Sequence, residues 1–369
     1  MSRLVPLLAA SAALLVLAAC EPGGKITQQN GYRGAGLQQV YDPDNFGVPA
    51  NMPAPPYDLP PDGGPLATET YQNVQVLTDM STDRFNHLMA AITQWVAPEQ
   101  GCAYCHDPAN LAADTVYTKV VARRMLQMTR NINGRWSDHV RTTGVTCYTC
   151  HRGQPVPELV WAQTDMGDPM SVRGQRHGQN MPNPNVGYSS LPNDVFNRYF
   201  SGDPRVVRVV STSAFPSPGH KASVMAAEDS YGVMMHLSAA LGVNCTHCHN
   251  SQSFQSWSES RAQRATAWYG IRMVRDINQG YISPLASVFP ASRLGPLGDP
   301  YKVNCLTCHQ GQAKPMGGLQ MLANYPYLRP PRPVPVAAQE EDGDVMSEIL
   351  RRPQDLTDQS GAPTVQNQE

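Results

Sequence analysis

Hydrophobic and polar positions follow two kinds of pattern along the chain. Leu4 to Ala19 is a 16-residue stretch, apolar but for Ser11 and preceded by Arg3. It is short for a membrane-spanning helix of about 20 residues and matches the hydrophobic region of a signal peptide. Four later segments place apolar residues at the helical period and predict helices over 82–96, 115–133, 223–241 and 259–278. Ser81 or Thr82 is the expected N-cap of the first. Elsewhere the periodicity is lost. Residues 21–66 are rich in Gly, Pro, Asn and Gln and predict an extended arm. Residues 153–220 hold many Pro, Gly and Asn and predict a long connection. From Pro326 the chain is Pro-rich and then acidic, which predicts poor order. The fold expected is mainly α with extensive coil and little β.

The first apolar run ends Leu17-Ala18-Ala19-Cys20, small residues before a cysteine. That ending resembles a bacterial lipoprotein signal of residues 1–19, with Cys20 the lipid attachment point. An ordinary signal peptide with an incidental cysteine is the alternative. Both place the protein outside the cytoplasm, and two or three acyl chains at Cys20 would hold it stably to a membrane.

Composition adds one constraint. Aromatic residues are 7% of the 369, while Gly and Pro number 29 and 33. A core built from protein alone would be thin, and bound cofactors can supply the missing apolar bulk. The formal net charge of −2 argues against a nucleic-acid binder.

The cysteines identify the cofactor. Eight of the nine fall in four C-x-x-C-H units: Cys102 and Cys105 with His106, Cys147 and Cys150 with His151, Cys245 and Cys248 with His249, Cys305 and Cys308 with His309. Two thiols separated by two residues sit on one turn and can add to the two vinyl groups of a heme. The histidine that follows then meets the iron from the same face. A zinc site or a redox dithiol uses C-x-x-C without requiring the histidine. Four repeats that all end in histidine predict four covalently bound c-type hemes. Cys20 is the cysteine left over.

Met128-Thr-Arg130-Asn-Ile132-Asn133 is repeated as Met273-Val-Arg275-Asp-Ile277-Asn278, each on a predicted helix between two heme motifs. The chain therefore reads as a signal (1–19), an arm (20–66), a diheme half (67–165), a connection (166–220), a second diheme half (221–325) and a tail (326–369). Hemes 1 and 2 belong to the first half, hemes 3 and 4 to the second.

Each iron needs a sixth ligand unless it is an open catalytic centre, and the candidates are Met and His. Met89 precedes His106 by 17 residues and Met234 precedes His249 by 15, both in mid-helix. Met235 points about 100° away from Met234, so only one of them can face an iron. Met125 and Met128 share a helix face, and either can serve the second heme. His139 stands alone before Cys147, either a ligand or a free imidazole. His87 and His236 read as surface or supporting residues. His247 is expected to point away from its own motif, and His177 and His220 to be solvated. Arg264 and Arg272, on the helix between motifs three and four, either raise a nearby heme potential or are surface cations.

Four segments carry a family resemblance: Arg124-Met-Leu-Gln-Met-Thr-Arg130, TGVTCYTCHRG from Thr143, YGVMMHLSAALGVNCTHCHN from Tyr231, and WYGIRMVRDIN from Trp268. With the four motifs, the region 67–325 closely resembles the tetraheme cytochrome subunit of purple-bacterial photosynthetic reaction centres. The resemblance implies Met–His ligation at three hemes and bis-His ligation at one. Heme 1 then takes His106 and Met89, heme 2 His151 and Met125, heme 3 His249 and Met234, and heme 4 His309 and His139. It implies a near-linear stack with heme 3 nearest the bacteriochlorophyll special pair, followed by hemes 4, 2 and 1. It also implies attachment to the L and M subunits, with H in the complex, on the periplasmic face of the photosynthetic membrane. A soluble cytochrome c2-like protein or a high-potential iron–sulfur protein would refill the stack. The chain would be an electron carrier and not an enzyme. A multiheme reductase would need an open iron, which four motifs with four distal candidates do not require. A respiratory electron conduit unrelated to light is the other alternative.

Overall fold

The computed structural model describes residues 26–29, 38–41, 52–165, 176–181, 183–201, 209 and 223–330. The predicted signal, Cys20, most of the arm, His220 and the tail beyond 330 lie outside the described residues. The described chain is mainly helical with little strand. Two short strands, β1 (Ile26–Gln29) and β2 (Gln38–Tyr41), pair antiparallel within the arm. The Val40 amide donates to Asn244 Oδ1 at 3.3 Å, so this hairpin touches the residue just before Cys245.

Nine helices follow among the described residues: α1 (Ala67–Thr70), α2 (Thr82–Val96), α3 (Tyr117–Arg135), α4 (Ser137–Val140), α5 (Cys147–His151), α6 (Val195–Phe200), α7 (Val224–Leu241), α8 (Gln263–Asp276) and α9 (Cys305–His309). α2, α3, α7 and α8 are the four predicted helices. α2 buries His87, Leu88, Ala91 and Trp95, one stripe at helical spacing. α7 begins where Ser223 Oγ accepts the Ala226 amide at 3.0 Å. It ends at Gly242, which has φ 63° and lies so close to Gly311 that a Cβ would collide with the Gly311 carbonyl. α8 starts four residues later than predicted, because residues 255–260 form a loop whose carbonyls are held by Arg264. A wide π-helical turn, Ile277–Ile282, continues it.

Two apolar clusters form the interior. The larger gathers side chains of α3, α4, α6, α7 and α8. The smaller joins α2 to the segment Leu322–Leu328. α6 lies in the stretch expected to be a connection, yet Val195, Phe196, Tyr199 and Phe200 are buried in the larger cluster. Four apolar and aromatic positions in six residues, amid Pro and Asn, make too short a pattern to predict a helix. Arg198 of α6 and Asp229 of α7 form a buried ion pair beside it.

Contacts recur between residues of the two halves, the partner on the long helix or its extension 145 residues further on and the partner at the motif 158 residues further on. The Asn133 amide donates to the Val145 carbonyl at 2.9 Å and its oxygen accepts the Val145 N–H at 2.8 Å. Asn278 does the same to Val303, at 2.9 Å in both directions. The Gly153 N–H donates to the Trp95 carbonyl at 2.9 Å, and the Gly311 N–H to the Ala240 carbonyl at 2.8 Å. Each asparagine thus holds the residue two before a heme-motif cysteine. Each of these bonds from glycine ties the end of a motif to the helix that carries Met89 or Met234.

Candidate heme sites

The motifs adopt two local structures. The first and third are single 3-10 turns, Gly101–Tyr104 and Cys245–His247. The second and fourth are the short helices α5 and α9. The difference follows from sequence. In the even motifs the residue before the second cysteine is threonine, and its hydroxyl accepts the N–H of the cap residue. Thr149 Oγ1 accepts from Thr146 at 3.0 Å, and Thr307 Oγ1 from Asn304 at 3.0 Å. This reciprocal cap stabilises a helical turn. Tyr104 and His247 occupy that place in the odd motifs and cannot supply it.

All four motif histidines are held in one way. Nδ1 lies 2.9 Å from a backbone carbonyl in each case: Leu111 for His106, Gln154 for His151, Phe254 for His249 and Gln312 for His309. A carbonyl only accepts, so Nδ1 carries the proton and Nε2 keeps its lone pair for a metal. Burial pushes His151 and His249 below the ordinary histidine range. Burial, with His139 nearby, brings His309 down to about 4. The imidazoles of His151, His249 and His309 are therefore neutral, as ligation requires. None of the eight described cysteines is in a disulfide. Burial pushes Cys147 and Cys305 up to about 12 and Cys248 up to about 11. Among the described residues no three His, Cys, Asp or Glu side chains converge as a closed zinc site would need. The donor set, a thiol pair and one neutral imidazole repeated four times, fits covalent heme.

His139 is the fifth histidine with this arrangement. It sits on α4, and its Nδ1 lies 2.8 Å from the Thr266 carbonyl of α8. Its ring faces that of His309 with centroids 6.0 Å apart and planes inclined by 71°. Two imidazoles that ligate one metal from opposite faces, with metal–nitrogen bonds of about 2 Å, have that separation. Gly270 makes room for it: a Cβ there would lie 2.6 Å from His139 Cε1. The residue 145 positions before Gly270 is Met125. So α3 carries a thioether where α8 carries a notch filled by a histidine from elsewhere in the chain. Gly270 and the Thr266 carbonyl were not among the sequence-derived candidates; the mismatch of Met125 with Gly270 inside the repeat was the available signal.

Met89, Met125, Met128 and Met234 are all partly buried against the two clusters. Met89 and Met234 also stand 145 residues apart. Met235 turns the other way, its Cε lying 3.1 Å from where a Cβ on Gly187 would be. Cys150 and Cys308 meet with their sulfurs 3.1 Å apart, so α5 and α9 lie back to back.

Of the two readings of His87 and His236, surface or supporting, burial leaves the second. His87 is fully buried and both ring nitrogens are taken, by Tyr327 Oη at 2.6 Å and the Tyr57 carbonyl at 3.0 Å. His236 is 3% exposed and packs edge-on to Phe196 with centroids 4.5 Å apart. Burial lowers it to about 3. Both sit among aromatic residues, which the helical pattern around them did not reveal. His177 is partly exposed beside Asp194. Arg264 stacks on Trp257 at 4.1 Å, and Arg272 on Trp268 at 4.6 Å.

Residues 21–329 match the family model described as photosynthetic reaction centre cytochrome C subunit. The chain belongs to that family. Its similarity to the photosynthetic reaction center cytochrome c subunit of Rubrivivax gelatinosus is 47% identity, covering 89% of this chain and 90% of that one. For the protein of the same name from Thermochromatium tepidum it is 46%, covering 86% and 78%. For that of Roseobacter denitrificans it is 40%, covering 83% and 86%. Members of the reaction-centre cytochrome c family are electron-transfer components with covalently bound heme and not enzymes, and this chain is one of them. No helix among the described residues is long and apolar enough to cross a membrane.

Proposed function

We propose that this family member carries four c-type hemes in two diheme halves and re-reduces the photo-oxidised special pair of a bacterial reaction centre. The observation that carries the reading is the shared setting of His106, His151, His249 and His309, each behind a cysteine pair with Nε2 left for iron. The contacts repeated between 133–153 and 278–311 support two related halves.

In this reading Met89, Met125 and Met234 are the distal ligands of hemes 1, 2 and 3. Met125 is favoured over Met128 because Gly270, its counterpart, fronts the histidine proposed for heme 4. Met273, the counterpart of Met128, is a buried core residue. Heme 4 has His309 and His139, so a ligand from the first half would join the two halves through one iron. The chain's own part in the chemistry is to fix ligand tautomers and orientation and to exclude water. The hemes supply the one-electron chemistry. The contact between Cys150 and Cys308 supports hemes 2 and 4 as neighbours in the order 3, 4, 2, 1 from the special pair. Heme 3 would face the L and M subunits, with H completing the complex. A soluble cytochrome c2-like protein or a high-potential iron–sulfur protein would reload the outer hemes. A lipid on Cys20, after loss of residues 1–19, would hold the protein at the periplasmic face of the photosynthetic membrane.

Methionine stabilises ferrous iron relative to histidine, so heme 4 should have the lowest potential. The test is a redox titration of His139→Met. The expected result is a raised potential at the lowest-potential heme alone. An unchanged lowest-potential heme would remove His139 as its ligand.

A further inference from the structure

We propose that Lys119 is the positioning cation of the first heme site, ordering the loop behind His106 and raising the potential of the heme that His106 ligates. This rests on the reading of His106 as an axial ligand. Lys119 lies on α3 and is 8% exposed. Its Nζ donates to the carbonyls of Leu111, Ala112 and Ala113, at 2.8 Å each. The Leu111 oxygen is also the acceptor for His106 Nδ1–H, at 2.9 Å. The ammonium and the imidazole therefore share one oxygen, and the charge stands two hydrogen bonds from the ligand. A buried ammonium must be compensated, and three carbonyls and Asp114, at 3.3 Å, do this. An apolar side chain would fill the same space with no desolvation cost, so the lysine is suited to where three carbonyls converge.

Two effects act with the same sign. A fixed positive charge near the iron disfavours the ferric state, which has one charge more than the ferrous state. A carbonyl already polarised by an ammonium is a weaker acceptor for Nδ1–H. The imidazole then keeps less anionic character and donates less to ferric iron. Asp114 opposes both effects. Its hydrogen bond from Arg123, with further ones from Asn73 and Lys119, holds its carboxyl well below the usual carboxylate range, so it stays charged. The third motif offers a parallel. Arg264, 145 residues after Lys119, donates to the Gln255 and Ser256 carbonyls at 3.3 and 2.8 Å. These residues directly follow Phe254, whose carbonyl holds His249.

The test is spectroelectrochemical titration of the full-length holoprotein in four forms: wild type, Lys119→Gln, Lys119→Arg and Asp114→Asn. Lys119→Gln should lower the midpoint of one heme. The expected size is a tenfold change in its reduced-to-oxidised ratio at fixed potential, about 59 mV for a one-electron couple. Lys119→Arg should restore most of it. Asp114→Asn should move the same heme the opposite way. The proposal is overturned if Lys119→Gln shifts no heme or all four equally, or if Asp114→Asn shifts none. The last result decides even where Lys119→Gln fails to fold. If loop order alone were at stake, Lys119→Gln and Asp114→Asn would lower the melting temperature without shifts of opposite sign. His106→Ala tests the underlying reading separately: one low-spin, six-coordinate heme signal should disappear from the electron paramagnetic resonance spectrum. Its persistence would reject His106 as a ligand, whatever Lys119 does.

Discussion

A methyl group at residue 270 would occupy the place of the His139 ring, because the Cβ would lie 2.6 Å from Cε1 and 2.9 Å from Nδ1. Neither atom can retreat easily. The ring is held on one side by the Thr266 carbonyl and faces His309 on the other. If His139 is the distal ligand proposed for heme 4, Gly270→Ala is expected to push it off that iron. The lowest-potential heme should then become high-spin or move up in potential, with the other three unchanged. Electron paramagnetic resonance of the oxidised protein checks this, and four unchanged signals would contradict it. The four motif histidines, all with Nδ1 on a backbone carbonyl, and the eight motif cysteines stand out in the sequence because each motif is contiguous. The notch does not. His139 and its acceptor Thr266 are separated by 127 residues, and a glycine inside a helix carries no periodic signal. For His87 and His236 the sequence left surface and supporting roles open for a related reason. Their aromatic neighbours Tyr327 and Phe196 come from distant segments.

At the scale of elements, the four long helices were legible because their apolar stripes keep one period over 14 to 19 residues. Their ends shifted where side chains capture backbone. Predicted to span 115–133, α3 runs over Tyr117–Arg135. α8 begins only after the loop gripped by Arg264. The paired asparagines are the fastening between these helices and the even motifs. Asn133 makes three buried hydrogen bonds, to Val145 twice and to the Leu328 carbonyl at 3.1 Å. Asn133→Ala would leave the Val145 amide and two carbonyls unsatisfied in the interior, at a cost of about 2–4 kcal/mol. Thermal unfolding of the holoprotein should show a lower melting temperature for Asn133→Ala and for Asn278→Ala alike. A loss in only one of them would argue against equivalent roles in the two halves.

Over the whole molecule, the helices α3, α4 and α5 are tied to α8 and α9. Asp276 at the end of α8 accepts hydrogen bonds from Asn131 and Trp136, each at 2.7 Å. α5 and α9 meet through Cys150 and Cys308. His139 crosses from α4 to face His309. A chain with few aromatic residues can hold this shape if hemes fill the spaces its motifs face, and a continuous series of hemes is what long-range electron transfer requires. Flash absorbance of native membranes under reducing conditions, followed in the heme α-band, tests that claim most directly. Heme oxidation in step with re-reduction of the special pair, with heme 3 reacting first, is the result expected from the proposed function. Re-reduction of the special pair with no heme oxidation would contradict it.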